Sequence, residues 1–258
     1  MAVFSKDQIT GKVIINARAE ESKTIINYAN SDSDTIQSCG ANNFKIDGHT
    51  TKINKYSIKT DGFGISPKNM ETLFKSDKDF TWCFWAYPVR YSGNNFYMKI
   101  MNKKDNRYYT THFTENNNGR NVSNTNNNMV ILERSVYWHR DIEKSTGAAT
   151  FDSWRHYAIT KKGNIIYFFK NGKMVYSTSI SDSIKSMYFD SDGDTSFGII
   201  YNTYAGYFYL DDYIFISGQC LWTSDYTIPK EPILGYDGKY QEIYPRNYNK
   251  MNKVFSNY

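Results

Sequence analysis

The residues of this sequence whose types most directly suggest a chemical role are its aromatic residues that stand near acids and amides. Such rings can stack on the apolar face of a sugar, while fixed polar groups pair with its hydroxyls. The chain of 258 residues holds 23 Tyr, 16 Phe and 5 Trp. The candidates to contact a glycan or a protein partner are Trp85, Tyr87, Tyr207 and Tyr209. In each pair the rings stand two positions apart, so both point to the same side of an extended strand.

The segment Phe80–Tyr87 is predicted to be a strand, because it is rich in aromatic residues and ends before Pro88. The face predicted to point into the core consists of Phe80, Trp82, Phe84 and Ala86. The other face carries Trp85 and Tyr87, and two interpretations of it stay open. It is either a platform for sugars or the second covered face of a central strand. The covered face is favoured, since a strand that is apolar on both faces is most simply packed on both.

Three alternating acids, Asp190, Asp192 and Asp194, resemble the start of a calcium-binding loop. An EF-hand would need Gly at its sixth position and Glu at its twelfth, where this chain has Thr195 and Tyr201. The pattern is therefore not an EF-hand. A turn is favoured over a metal site, with a looser calcium site as the alternative.

Catalytic motifs are not found in the sequence. Glycosidases with an all-β sandwich carry alternating Glu-x-Asp-x-Glu acids that flank the sugar bond, and no such run occurs here. Asp141 and Glu143 share the alternation without a third acid, and solvated charges are the favoured interpretation. Walker, Gly-x-Ser-x-Gly and His-Glu-x-x-His motifs are absent as well. We expect a protein that is not an enzyme.

Composition and charge restrict the partners. The net charge is only +5, and no basic run marks a nucleic-acid-binding arm, so we expect no nucleic-acid partner. Three cysteines without CxxC spacing predict neither a zinc site nor a full disulfide framework. The first residues lack the apolar core of a signal peptide, and no apolar stretch is long enough to span a bilayer. We expect synthesis in a cytoplasm and no membrane insertion.

Many short aromatic and β-branched segments, separated by turn residues and almost free of helical periodicity, predict a β-sandwich or barrel. The strongest hairpin signal is Asn171-Gly172, between Ile165–Phe169 and Lys173–Ser177. A two-residue type I′ turn needs positive φ at both of its positions, which Asn and Gly adopt readily.

The order of these segments resembles the laminin G-like, concanavalin A-like jelly roll. The motifs that carry the resemblance are Tyr56-Ser-Ile-Lys-Thr-Asp-Gly62, Phe80-Thr-Trp-Cys-Phe-Trp85, Trp154-Arg-His-Tyr-Ala-Ile-Thr160, Phe168-Phe-Lys-Asn-Gly172, Phe197-Gly198 and Gly206-Tyr-Phe-Tyr-Leu-Asp-Asp212. The resemblance implies an all-β jelly-roll sandwich of two antiparallel sheets over residues 13–228, after a leader at 1–12 and before an irregular tail at 229–258. Laminin G-like relatives often bind calcium through loop carboxylates, which keeps the calcium alternative open. Clostridial neurotoxin binding domains are similar in fold and in the Phe-Trp strand, although no trefoil domain follows here.

The strand Gly206–Ser217 is ambiguous in its faces. Hydrophobicity predicts that the even-numbered side chains point inward, whereas the family pattern turns Asp211, Tyr213 and Phe215 inward. Either way one of Asp211 and Asp212 must be buried and hydrogen-bonded, which predicts a structural role for it.

The end of the domain, Asp211–Ser217 followed by Leu221–Pro229, is similar to the close of such domains in bacteriophage structural proteins. Leu221 stands where those sequences usually have a basic residue. This resemblance implies a virion protein, placed on the capsid or tail surface as a fibre, decoration or receptor-binding module. Its partners would be other virion proteins or copies of itself, together with host surface glycans. The alternatives are a free bacterial lectin-like carbohydrate-binding module and a degenerate glycoside hydrolase.

Overall fold

The computed structural model describes residues 9–20, 23–27, 37–40, 45–47, 57–60, 62–66, 75–89, 95–116, 127–134, 139–148, 150–190, 196–201, 208–230, 233 and 240–242. In chain order the strands are β1 (Lys12–Glu20), β2 (Lys23–Asn27), β3 (Gln37–Gly40), β4 (Lys45–Asp47), β5 (Ser57–Thr60), β6 (Gly62–Ser66), β7 (Phe80–Pro88), β8 (Asn95–Lys104), β9 (Arg107–Asn116), β10 (Asn127–Arg134), β11 (His139–Ala148), β12 (Arg155–Lys162), β13 (Ile165–Lys170), β14 (Lys173–Ser179), β15 (Ser196–Tyr201), β16 (Phe208–Ser217) and β17 (Tyr240–Glu242). The helix α1 (Asp182–Phe189) lies between β14 and β15.

Among the described residues, the strands form two antiparallel sheets. The larger sheet has ten strands, in the order β14-β13-β12-β7-β16-β1-β2-β17, with β5 also paired to β16 and β4 paired to β5. The smaller sheet has seven strands, in the order β11-β10-β9-β8-β15-β6-β3. The predicted all-β jelly-roll sandwich of two antiparallel sheets is confirmed.

Helix α1 and strand β17 are among the elements that were not expected from the sequence. Helix α1 begins after Ser181, whose hydroxyl accepts a hydrogen bond from the amide of Ile184 at 3.3 Å. Strand β17 lies inside the predicted tail and pairs with β2 at an edge of the larger sheet. The domain boundaries themselves stay a prediction. No helix in the described part of the chain has the length and apolar character needed to cross a bilayer.

The core between the two sheets is mainly aromatic. It receives the predicted inward face of β7, which contributes Phe80, Trp82, Phe84 and Ala86. The smaller sheet supplies side chains such as Met98 and Phe113, and α1 supplies Tyr188 and Phe189 at one end. Phe84 stacks on Tyr213 with ring centroids 5.5 Å apart. The assignment of the two faces of β7 is therefore confirmed.

A β-bulge in β16 settles which of its side chains point inward. Opposite β7, Asp211 pairs with Trp85 but Ile214 pairs with Cys83, so β16 holds one extra residue there. Asp212 has a φ of 46°, in the left-handed region. Before the bulge the even-numbered Phe208 and Leu210 enter the core, and after it the odd-numbered Tyr213 and Phe215 do. Each of the two sequence-based assignments holds for one half of the strand.

Both acids at the bulge are buried and hydrogen-bonded, although one was expected. Asp211 is 0% exposed and Asp212 is 1% exposed. Asp211 accepts a hydrogen bond from the amide of Asp212 at 2.9 Å, and Asp212 accepts one from the amide of Ile233 at 3.2 Å. Asp212 thereby ties the bulge to the chain beyond β16, which supports the predicted structural role.

Part of the outer face of the larger sheet, over β7, β12, β13 and β16, is covered by the segment 218–233, which we call the strap and which is described at 218–230 and 233. Its apolar side chains close a second core against this face. The members of this core are Cys83, Ala158, Phe169, Ile214, Ile216, Trp222, Tyr226 and Ile233. These central strands of the larger sheet are therefore packed on both faces, as the apolar character of β7 on both sides predicts.

Lys161 is a fully buried cation at one end of the main core. Its ammonium group donates a hydrogen bond to the carbonyl of Lys78 at 2.6 Å and lies 5.9 Å from the centre of the Phe189 ring. Burial lowers the pKa of Lys161 to about 8, although Asp79 opposes this effect. An unfolded lysine keeps a pKa of about 10.4, so the unfolded chain binds more protons between these two values.

We expect stability to gain up to about 3 kcal/mol from this residue as pH rises from 8 to 10.5, because the charge disfavoured in the fold is lost. Lys161→Met should remove this gain. The measurement is urea unfolding at pH 7 and pH 10, where the free energy of the variant relative to wild type should fall as pH rises. Lys162→Met, at an exposed position next to it, is the matched control. Parallel pH profiles for wild type and Lys161→Met would contradict this assignment.

Candidate functional site

Trp85 lies on the outer face of the larger sheet but is buried. Its side chain is 5% exposed and packs edge-on against His156, with ring centroids 5.2 Å apart. His156 in turn packs edge-on against Trp222 and Tyr226 of the strap, and its Nδ1 lies 2.8 Å from the hydroxyl of Tyr226. Trp85 therefore presents no open platform in this structure, in agreement with the favoured interpretation of its face.

Two residues beyond Trp85 along β7, on the same face of the sheet, three rings form what we call the aromatic row: Trp154, Tyr87 and Tyr209. Tyr209 is the register partner of Tyr87 across β16 and β7. Tyr87 packs edge-on against both neighbours, with centroid distances of 5.9 Å to Trp154 and 5.9 Å to Tyr209. Tyr87 and Trp154 are half-buried, whereas Tyr209 is 5% exposed. The row thus offers two accessible rings held by a third.

Two polar groups of the aromatic row can serve a ligand. Among the described residues, the Tyr87 hydroxyl has no hydrogen-bond partner. The indole N–H of Trp154 is covered and also lacks one there, so an acceptor that reached it would satisfy an unpaired donor. Arg155, which follows Trp154, donates from one guanidinium nitrogen to the carbonyl of Trp154 at 2.8 Å. Rings with adjacent unengaged donors match the chemistry of a sugar site.

Of the four contact candidates named from the sequence, the structure brings Tyr87 and Tyr209 together, and it buries both Trp85 and Tyr209. Tyr207 lies outside the described residues. Trp154 was missed as a contact residue because it was used only as a marker of the fold. The signal that could have found it is alternation, since Trp154 and His156 must share one face of β12.

The outer face of the smaller sheet is closed at the middle of β8 and β9. Lys99 and His112 are register partners on neighbouring strands and are 7% and 3% exposed. They point away from the main core, because the adjacent Met98 and Phe113 enter it. Thr110 and Thr114, at the alternate positions of the same strand, are 5% and 3% exposed. Tyr87 and Trp154 of the aromatic row are therefore more accessible than these four side chains.

A family model matches the part of the chain that contains this site. The model is a laminin G-type one, described as the concanavalin A-like lectin/glucanases superfamily, and it matches residues 60–217. The chain belongs to this superfamily. The resemblance inferred from the sequence motifs is thereby confirmed at the level of the superfamily. No curated protein matches the chain in sequence.

Solved structures of the same fold come from toxins and from an enzyme. The botulinum neurotoxin serotype D/C binding domain is 11% identical with a TM-score of 0.53, over 83% of this chain and 50% of its own. Botulinum neurotoxin type C, whose cell entry depends upon interaction with two ganglioside molecules, is 12% identical with a TM-score of 0.50, over 81% and 48%. An alginate lyase is 9% identical with a TM-score of 0.50, over 84% and 97%. The chain spans about half the length of the neurotoxin chains, and these likenesses show the fold alone.

The calcium loop suggested by the sequence would use Asp190, Asp192 and Asp194. The structure describes Asp190, while Asp192 and Asp194 lie outside the described residues. The Asp190 carboxylate accepts hydrogen bonds from the Ser76 amide at 2.5 Å and the Ser186 hydroxyl at 3.1 Å, and it pairs with the Lys104 ammonium at 3.4 Å. Burial alone would raise the pKa of Asp190, but the hydrogen bonds from Ser76 and Ser186 and the charge of Lys104 outweigh it and lower the pKa. No group of three or more His, Cys, Asp or Glu side chains is brought together within the described ranges.

We expect Asp190→Asn to destabilise the protein by about 1–3 kcal/mol, because an amide cannot accept from Ser76, Ser186 and Lys104 together. The loss should be the same with calcium and with a chelator, since Lys104 already supplies the positive charge. Urea unfolding in both buffers measures it. Calcium that stabilised the wild type but not the variant would instead establish Asp190 as a ligand.

The paired acids Asp141 and Glu143 lie in β11, but they do not alternate there as the sequence suggested. Leu132 pairs with Ile142 but Glu133 pairs with Arg140, so Asp141 is the extra residue of a bulge in β11. Asp141 accepts a hydrogen bond from the Tyr188 hydroxyl of α1 at 2.8 Å, whereas Glu143 is exposed. The bulge takes Asp141 out of the alternation that the sequence suggested.

Proposed function

We propose that this protein is a non-enzymatic glycan-binding module and that the aromatic row is its contact surface. The observation that carries the proposal is the pair of partly exposed rings, Tyr87 and Trp154, braced edge-on by Tyr209 across adjacent strands. Pre-positioned rings lose little conformational freedom on binding, and sugars stack on such rings. The Tyr87 hydroxyl, which has no hydrogen-bond partner in the described part of the chain, supplies a hydrogen bond that orients a sugar ring.

Fold relatives support a role in recognition. Cell entry of botulinum neurotoxin type C depends upon interaction with two ganglioside molecules, and the binding domain of botulinum neurotoxin DC was solved in complex with SialylT. At 10–12% identity these relatives support the class of function but not the location of the site. The location is argued from the aromatic row alone.

The test is a glycan array probed with wild type, Tyr87→Ala and Trp154→Ala. We expect each variant to lose about tenfold or more in affinity for the glycan that wild type binds, because each removes a stacking ring. Met174→Ala, at an exposed position on β14, is the control and should bind as wild type does. Absence of any glycan bound by the folded wild type would overturn the proposal, and binding unchanged in both row variants would overturn the site.

The absence of catalysis is part of the proposal, supported by the separation of Asp141 from the alternation of β11. Incubation of the protein with each oligosaccharide that it binds should leave the substrate intact by mass spectrometry. Cleavage products that vanished in the Asp141→Asn or Glu143→Gln variant would favour the degenerate glycoside hydrolase instead.

We also propose that the module acts on the surface of a bacteriophage virion, as a fibre, decoration or receptor-binding part. The support is the sequence from Asp211 to Pro229, which is similar to the close of such domains in phage structural proteins. Mass spectrometry of purified particles is expected to find the protein, in association with other virion proteins or copies of itself. A protein that binds glycans as a free monomer and never enters particles would favour the bacterial lectin alternative.

A further inference from the structure

Arg155 places a positive charge at the end of the aromatic row. It opens β12 and is the register partner of Ala86, the residue before Tyr87. Alternation alone would send its side chain toward the main core, opposite to Trp154. The side chain is nevertheless only partly buried, and its guanidinium group reaches back to the Trp154 carbonyl at 2.8 Å. The charge therefore lies at the rim of the sheet, where β12 begins, and next to the backbone of Trp154.

The guanidinium group keeps most of its capacity to bind an anion. One nitrogen is fixed by the Trp154 carbonyl, and within the described ranges no carboxylate forms an ion pair with Arg155. A guanidinium carries five N–H donors in a planar fork that fits a carboxylate in bidentate fashion. The bond to the carbonyl orients the fork, which lowers the entropic cost of engaging a ligand.

We propose that the aromatic row selects acidic glycans, an inference that rests on the proposed function. In it, Arg155 pairs with the carboxylate of a sugar that stacks on Trp154. Because the guanidinium is hydrogen-bonded to the Trp154 carbonyl, a sugar that stacks on the indole needs to extend only past the backbone of Trp154 to place a carboxylate on the guanidinium. A neutral sugar would keep the stacking and lose the charge-assisted pair.

The test uses two matched pairs of probes: sialyllactose against lactose, and oligogalacturonate against its methyl-esterified form. Calorimetry with wild type is expected to give about tenfold or greater preference for the acidic member of at least one pair. Arg155→Gln should remove that preference while keeping the affinity for the neutral member. Arg155→Lys should restore part of it, because the charge returns without the bidentate fork.

Arg107→Gln is the matched control, because it removes the same charge from an exposed position on the smaller sheet. It should leave the preference intact. Raising the salt concentration should weaken binding of the acidic probe by wild type more than by Arg155→Gln. Equal binding of acidic and neutral members, unaltered by Arg155→Gln, overturns the charge inference and leaves glycan binding standing. Failure of all four probes and of the array overturns both.

Discussion

Replacing Trp222 with alanine is expected to lower the free energy of unfolding by about 3–5 kcal/mol. The indole of Trp222 is 6% exposed and lies flat on the Tyr226 ring, with centroids 3.9 Å apart and planes 11° apart. It also packs edge-on against His156 at 6.0 Å. The alanine would leave a cavity in the second core that the surrounding strands cannot close, since β12 and β7 are fixed by the main core on their other face.

Urea unfolding of Trp222→Ala measures this loss, and Trp222→Phe should recover part of it by restoring a stacking ring. Thr223→Ala is the control, because the neighbouring side chain is exposed and should change stability by at most about 0.5 kcal/mol. Trp222→Ala should also make tryptophan fluorescence more accessible to an aqueous quencher, as the strap loosens over the sheet. A loss no larger than that of Thr223→Ala would mean that the strap contributes little to the fold.

The strap explains why the aromatic face of β7 could be assigned only in part from the sequence. Alternation correctly separates Trp85 and Tyr87 from the inward set. What covers an outward side chain depends on contacts far along the chain, here between His156 and Tyr226, which are 70 residues apart. Trp85 is covered and Tyr87 is partly exposed although both share one face, and periodicity cannot distinguish two such neighbours.

The bulge in β16 marks another limit of sequence-based prediction. Hydrophobicity and family pattern each gave one uninterrupted alternation, and each is correct on one side of Asp212. A single inserted residue with positive φ exchanges the two faces. Asp is one of the types enriched at positive φ, but most Asp residues lie elsewhere, so the type alone does not locate the bulge and the surroundings must demand it. The buried hydrogen bond from Ile233 to Asp212 is one such demand, and it comes from a residue beyond the strand.

The candidate site could also be predicted only in part, because residue types can be read from the sequence whereas strand pairing cannot. Tyr87 and Tyr209 could be named from their residue type and strand position, yet their meeting depends on the pairing of β7 with β16. Trp154 was visible in the sequence as part of a fold motif, but its role in the row follows from the pairing of β12 with β7. Arg155 could not be predicted at all, because alternation points it to the core and only its bond to the Trp154 carbonyl holds it at the rim.

Gly172→Ala is expected to destabilise the protein by about 2–4 kcal/mol, from backbone strain and from collision with the strap. Asn171 and Gly172 have φ values of 52° and 72°, both positive, as the predicted type I′ turn requires. A Cβ at Gly172 would collide with the carbonyl oxygen of Tyr226, a backbone atom that cannot rotate away. The strap would have to shift, because the Tyr226 amide also donates to the Gly172 carbonyl at 2.8 Å.

Gly163→Ala separates these two causes. Gly163 has a φ of 55°, in the same left-handed region as Gly172, but a Cβ there meets no atom within 4 Å. We expect it to cost only the strain of a left-handed alanine, about 1–2 kcal/mol, so that the difference between the variants measures the contact with the strap. Urea unfolding of both variants provides the comparison, and a combined Gly172→Ala, Trp222→Ala variant shows whether the losses overlap. Because both substitutions act on the same segment, the loss of stability in the combined variant should be smaller than the sum of the two single losses. Additive losses would instead mean that the turn and the strap stabilise the fold independently.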